Sequence, residues 1–291
     1  MTTPADALGY TSDFLGPSVP LPSAPTSRPV RELTYTHFTV LLDPQRRLAA
    51  ATAVNIDGAA LRELDRADDW FLDPRVPQDE QTGPEVYARN DLDRGHLVRR
   101  RDPVWGEPAV AAAANEQSFC YTNAAPQAAA FNQGKELWVG LEDYLLEHAR
   151  AHRLRLSVFT GPVLSPDDPP YRGVQIPRLF WKVATWADLD AEGSEPTLAA
   201  TAYVLDQTPQ LDDLDLRTAR AAAAGDVPPL GPYRTFQVPV ADVEALTGLD
   251  LGPLVAADQL PAGAPTGALP APRDRWVELT EAGSIRLGQV G

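Results

Sequence analysis

Asn90-Asp91-Leu92-Asp93-Arg94-Gly95-His96-Leu97-Val98-Arg99-Arg100-Arg101 stands apart from the rest of a chain whose formal net charge is -15. It gathers four arginines within eight residues around one of only four histidines. A planar guanidinium can grip a phosphate with two parallel hydrogen bonds, and a neutral imidazole can take a proton from water. Placed within three residues, Arg94 and His96 supply the first two needs of phosphodiester hydrolysis. Gly95 between them permits a sharp turn or a close backbone approach to a ligand. The competing reading is a surface salt-bridge cluster after a turn, with Asp91, Asp102 and Glu107 as the acidic partners of Arg99 and Arg100.

Outward from this stretch the chain reads as a series of β-rich segments with two helical ones. Upstream, 34–42 is rich in β-formers and closes at Asp43-Pro44, and 48–56 reads as its hairpin partner. The Pro- and Asp-rich run 70–90 reads as loop. Downstream, 132–150 has apolar residues at three- and four-residue spacings, the mark of a helix. Leu154 to Thr160 alternates and stops at Gly161-Pro162, 180–186 and 198–205 read as a hairpin, and 233–239 as a short strand. Val240 to Thr247 reads as a helix that Gly248 caps. These elements do not follow a βαβ rhythm, so the expected fold is α+β, a mixed, largely antiparallel sheet flanked by helices. Residues 1–30 and 256–291, rich in proline, are expected as an N-terminal arm and a C-terminal extension around a domain at 31–255.

Composition removes several alternatives. An apolar share of 44% fits a globular chain. A single cysteine, Cys120, excludes an intramolecular disulfide and a cysteine-based zinc site. The N-terminal stretch has neither a basic region nor an apolar one, so a Sec signal is not expected, and no run is long enough to span a membrane. The expected location is cytoplasmic, or outside the cell by a route without a cleavable signal. A charge of -15 disfavours broad adhesion to polyanions while leaving room for a local basic site. Of the other histidines, His37 is expected as a packed strand residue. His148 and His152 lie four apart on a helix without the Glu of a His-Glu-x-x-His site, which suits a solvated helix end.

After the first stretch come Thr122-Asn123-Ala124-Ala125-Pro126-Gln127, then Asn132-Gln133, then Leu141-Glu142. Mg²⁺ keeps much of its water, so one Asn oxygen with a carboxylate holding metal-bound water makes a sufficient site. With Asp93-Arg94-Gly95-His96, these four ordered motifs resemble the DNA/RNA non-specific endonuclease family, the ββα-metal nucleases of the Serratia nuclease and endonuclease G type. The resemblance extends in weaker form from Tyr35 to Leu251. It implies His96 as general base, Asn132 as the direct ligand of Mg²⁺ (or Mn²⁺), Glu142 as holder of metal-bound water, Asn123 as support for the base, and Arg94 on the phosphate. Arg75, Arg99 and Arg100 are further candidates for substrate contact.

Two departures from the family pattern stand out. Glu142 follows Asn132 by ten residues, two more than the pattern has, and two residues turn a helix by about 200°. Glu136 is therefore kept as a substitute for Glu142. The relatives also carry an Arg where Leu146 stands, leaving Arg66, Arg75 and Arg99 as replacements. The implied activity is hydrolysis of DNA and RNA to 5′-phosphate ends with little sequence preference. The alternative is a catalytically weakened nucleic-acid-binding or assembly module of the same fold. An inhibitor or regulatory protein, and a homodimer, are the partners expected beyond substrate.

Overall fold

The computed structural model describes residues 9–66, 68–90, 92–128, 138–188, 195–208, 211, 234–260 and 276–279, and of 138–144 the backbone alone. Eight strands form the main sheet: β1 (Arg31–Tyr35), β2 (Phe38–Asp43), β3 (Leu48–Asp57), β6 (Arg155–Val163), β9 (Leu179–Asp188), β10 (Thr197–Asp206), β11 (Arg234–Val238) and β12 (Val277–Leu279), in that spatial order. Every pairing in it is antiparallel, in keeping with the expected α+β fold built on a largely antiparallel sheet. Two small hairpins stand beside it, β4 (Leu92–His96) with β5 (Ala124–Ala128), and β7 (Pro170–Tyr171) with β8 (Val174–Gln175). Among the described residues the helices are α1 (Pro84–Tyr87), α2 (Pro108–Gln117), α3 (Trp138–His152) and α4 (Val240–Thr247).

Both faces of the sheet are buried, which explains strands that are apolar nearly throughout rather than alternating with polar residues. Within β2, Val40 and Leu42 join one core and Leu41 the other. The first core takes Leu97, Ala125 and Ala128 from around the β4–β5 hairpin and Leu145, Leu146 and Ala149 from α3. The second takes Val240 and Val243 of α4 together with Leu15 and Val19 from the N-terminal arm. The arm is largely irregular as expected, yet it is packed: Tyr10 lies 5.4 Å from the Phe159 ring, and Ser23 bridges to Asp250. Past position 255, Asp258 accepts a hydrogen bond from the Val240 amide and β12 adds to the sheet. Packed structure thus runs across both expected domain boundaries.

Two local expectations are corrected, and one helix is added. The run 34–42 is not one strand but a hairpin, turning at Thr36-His37 between the paired Tyr35 and Phe38. His37 adopts φ 66°, stacks on Trp105 at 3.5 Å and bonds the Pro103 carbonyl through Nδ1 at 2.8 Å. Distant contacts therefore hold a left-handed residue that nothing local announces. Gly161-Pro162 does not end β6, because these residues pair only with β9 and lie past the last partner on β3. There the missing proline N–H breaks no ladder bond on the β3 side. Finally, α2 has no counterpart in the sequence reading: Ala-rich, it buries Ala111, Ala114 and Asn115 without a strong apolar stripe. Among the described residues no helix is long and apolar enough to cross a membrane.

Candidate active site

His96 closes β4, directly opposite Ala124 of β5. Gly95 sits beneath the Gln127 side chain, where a Cβ would meet Gln127 Cδ at 2.0 Å. The glycine is thus needed for packing inside the hairpin rather than for a turn. Gln207 fastens the hairpin to the main sheet: its Oε1 accepts from the Ala128 amide at 3.0 Å and its Nε2 donates to the Pro177 carbonyl at 2.6 Å. Immediately after His96 the chain is gripped by Asn123. Its Oδ1 accepts from the Val98 amide, and its Nδ2 donates to the carbonyls of Val98 and Ser118, each at 2.9 Å. With 0% exposure and its amide fully engaged, Asn123 acts as a positioning residue for the segment that carries the imidazole.

Aromatic walls enclose the imidazole. Trp70 lies 4.7 Å from the His96 ring and Phe119 5.1 Å, edge-on. Both are placed by the bridge between Phe71 and Cys120. Beneath them Tyr35 Oη reaches Asp73 at 2.5 Å and Thr122 at 2.6 Å, a buried network joining β1 to the segment before β5. His96 Nε2 is buried and has no hydrogen-bond partner among the described residues. Burial, followed by the cationic Arg66 and Arg100 and, after the opposing Asp68, by Arg94, pushes the imidazole pKa down to about 3. A group so placed is neutral at pH 7, the form that accepts a proton.

The arginines divide into distinct jobs. Arg94 lies over the Trp70 ring at 5.2 Å, and Arg66 lies over Phe119 at 5.7 Å with Asp68 as its ion-pair partner at 3.3 Å. Arg100 donates to the Leu64 carbonyl at 2.9 Å and to Asn115 Oδ1 at 3.1 Å. It therefore latches the 61–66 loop, which delivers Arg66. Asn115 adds a bond to the Asp65 carbonyl at 3.3 Å. Arg101 pairs with Glu147 of α3. Arg75 is bound by the buried Asp73 at 2.6 Å and donates to the Thr34 carbonyl, which makes it a brace. Arg100 is thus held by a backbone carbonyl and an amide oxygen rather than standing free on a solvated face. Trp70, Phe119, Asn115 and Gln207 were not singled out from sequence. The aromatic pair carries no spacing signal because its members lie 49 positions apart.

Asn132 and Glu136 lie outside the described residues, as does the side chain of Glu142; position 142 falls within α3. Leu146, the position of the family's Arg, is 1% exposed in the core. Among the described residues no three His, Cys, Asp or Glu come together to hold a metal. The expected metal ligands are the residues not described.

Comparison with known proteins settles the kinship. The family described as DNA/RNA non-specific endonuclease matches residues 19–258. The chain belongs to that family. The DNA/RNA non-specific endonuclease match runs into the packed arm at its start and reaches Asp258 at its end, in step with the contacts above. The uncharacterised protein y4fB of Sinorhizobium fredii is 40% identical over 285 residues, covering 89% of this chain and 41% of that protein. The chain thus spans about two fifths of the length of the curated relative it matches. A chain in the crystal structure of the EndoG/EndoGI complex, which concerns the mechanism of EndoG inhibition, superposes with a TM-score of 0.52 at 20% identity. It covers 75% of this chain and 84% of that one, a likeness of fold.

Proposed function

We propose that this member of the non-specific endonucleases hydrolyses phosphodiester bonds of both DNA and RNA, leaving 5′-phosphate and 3′-hydroxyl ends. The observation that carries this reading is the neutral, half-buried imidazole of His96, with an unpartnered Nε2, beside the guanidiniums of Arg66, Arg94 and Arg100. His96 takes the proton of the attacking water. Arg94 and Arg66 bind the phosphate whose negative charge grows in the transition state. Asn123 and Arg100 hold the two segments that deliver these groups. Contacts of this kind grip phosphate and sugar, which position a strand without reading its bases.

The family is typically dependent on a metal, Mg²⁺ above all. Asn132, with Glu142 or Glu136, would hold it here, and the ion would supply charge neutralisation at the phosphate. The orphaned Nε2 is compatible with such a site. We also propose an inhibitory protein as partner, since an unregulated nuclease of this breadth endangers its own cell. A neighbour in fold was crystallised in a complex described as inhibitory. Incubation of the purified protein with plasmid DNA and with RNA, in Mg²⁺ and in EDTA, tests the proposal. Cleavage of both in Mg²⁺ and of neither in EDTA is expected; intact substrates in Mg²⁺ would refute it.

A further inference from the structure

Four of the five non-glycine residues with positive φ among the described residues are arginines, and three of these, Arg47, Arg89 and Arg172, surround the short helix α1. Their φ values are 60°, 55° and 48°. The left-handed region is sterically unfavourable for a residue with a β-carbon, and Gly or Asn would fill it with less strain. Use of arginine at each position asks what the guanidinium does.

The three separate by partner. Arg47 donates to the Gln81 carbonyl at 2.9 Å and to the Glu85 carboxylate at 3.2 Å, so it is consumed by structure. Arg172 occupies the tip of the β7–β8 hairpin with Gly173, whose φ is 80°. Its Nη1 donates to the carbonyls of Glu85 at 2.9 Å and Ala88 at 2.6 Å, while the guanidinium lies over the Tyr171 ring at 5.0 Å. The same contact to Ala88 brings it beside exposed Arg89. No acid pairs with Arg89 or Arg172 among the described residues, and Glu85 of α1 pairs with Arg47. In a chain of net charge -15, exposed Arg89 and the Arg172 guanidinium held at the carbonyl of the preceding Ala88, with no acid partner among the described residues, form a local cationic surface.

This surface adjoins the active site. Asn90 donates to Tyr171 Oη at 3.1 Å and accepts from the Leu92 amide, tying the hairpin to the first residue of β4. Arg89 precedes Arg94 by five residues, at most about 18 Å of extended chain. A span of up to that length covers about three phosphates of one strand, since 3.4 Å is only the axial rise and successive phosphates also wind about the axis. We infer that Arg89 and Arg172 form a second phosphate-binding surface, which holds the backbone of a DNA or RNA strand several nucleotides from the bond cleaved at His96. This inference rests on the nuclease reading and adds an extended polynucleotide footprint to it.

The test is titration of the full chain with fluorescently labelled duplex DNA and single-stranded RNA over a range of KCl, with Ca²⁺ replacing Mg²⁺ to suppress cleavage. Arg89→Gly removes the charge and suits the left-handed backbone. Arg172→Gln removes the charge while retaining a donor for the α1 carbonyls. Each should flatten the slope of log affinity against log salt by about 0.9 on duplex DNA and about 0.7 on single strands. Arg153→Gly, the same change at a left-handed arginine at the end of α3, should keep the wild-type slope. Unchanged slopes in Arg89→Gly and Arg172→Gln, or equal flattening in Arg153→Gly, would overturn the second surface while leaving the nuclease reading intact. Failure of the wild-type chain to bind either polymer would overturn both.

Discussion

At the scale of single residues, the surroundings of His96 set a pH dependence with a definite sign. An unfolded imidazole binds its proton near pH 6.5, whereas burial and the neighbouring guanidiniums bring the folded group to about 3. Between these values the unfolded chain holds more protons. The stability contributed by neutral His96 is therefore complete above pH 6.5 and lost as pH falls toward 3. The acid limb of kcat/KM should accordingly lie well below pH 6.5. Arg66→Ala removes one of the cations and should shift that limb upward; coincident limbs in variant and wild type would contradict the electrostatic account. Gly95 offers a second check. A β-carbon there collides with Gln127, so Gly95→Ala should destabilise by about 1–3 kcal/mol, as overpacked positions do. The Gln127→Ala change should recover part of that loss, measured by denaturant unfolding of the two single variants and the double. The need for glycine was legible from the motif; its cause was not, because Gln127 arrives from 32 positions downstream.

At the scale of elements, the β4–β5 hairpin is useful only if the chain leaving His96 is fixed, and Asn123 provides the fixing. Asn123→Ala removes three hydrogen bonds and leaves buried backbone groups unsatisfied, a loss of about 2–4 kcal/mol at roughly 1 kcal/mol per bond. Turnover should fall more than substrate affinity, since the variant misplaces the base rather than the phosphate grip. A drop confined to affinity would place Asn123 in substrate binding instead. Sequence alone served these elements unevenly. The β9–β10 hairpin and α4 with its Gly248 cap, φ 68°, carry local signatures and lie where their patterns place them. The Thr36-His37 turn and α2 do not, because one is held by Trp105 and Pro103 from far along the chain and the other is built from alanines without an amphipathic stripe. The arginines show the same limit. Sequence marked Arg94 to Arg101 as one cationic cluster, but only packing separates Arg94, beside the imidazole, from Arg100, which holds the loop of Arg66.

At the scale of the molecule, the sheet is buried on both faces, and the N-terminal arm covers part of the face opposite the active site. Leu15 and Val19 contribute to that second core. Deletion of residues 1–30 should therefore lower stability by about 3–6 kcal/mol, at roughly 1.5–3 kcal/mol for each fully buried aliphatic side chain. A thermal midpoint unchanged by the deletion would show the arm to be an appendage. The candidate site lies on the other face, where the hairpin, α3 and the segments carrying Arg66 and Trp70 meet over the first core. That arrangement places the His96 imidazole beside the guanidiniums of Arg66, Arg94 and Arg100. The most direct measurement is plasmid nicking in Mg²⁺ by wild type and His96→Ala, with DNA binding of both followed in Ca²⁺. Loss of a general base typically removes 10²–10⁴-fold of the rate, so turnover should fall by at least about a hundredfold while binding persists. Nicking by His96→Ala at more than about a tenth of the wild-type rate would contradict the assignment of His96 as the base.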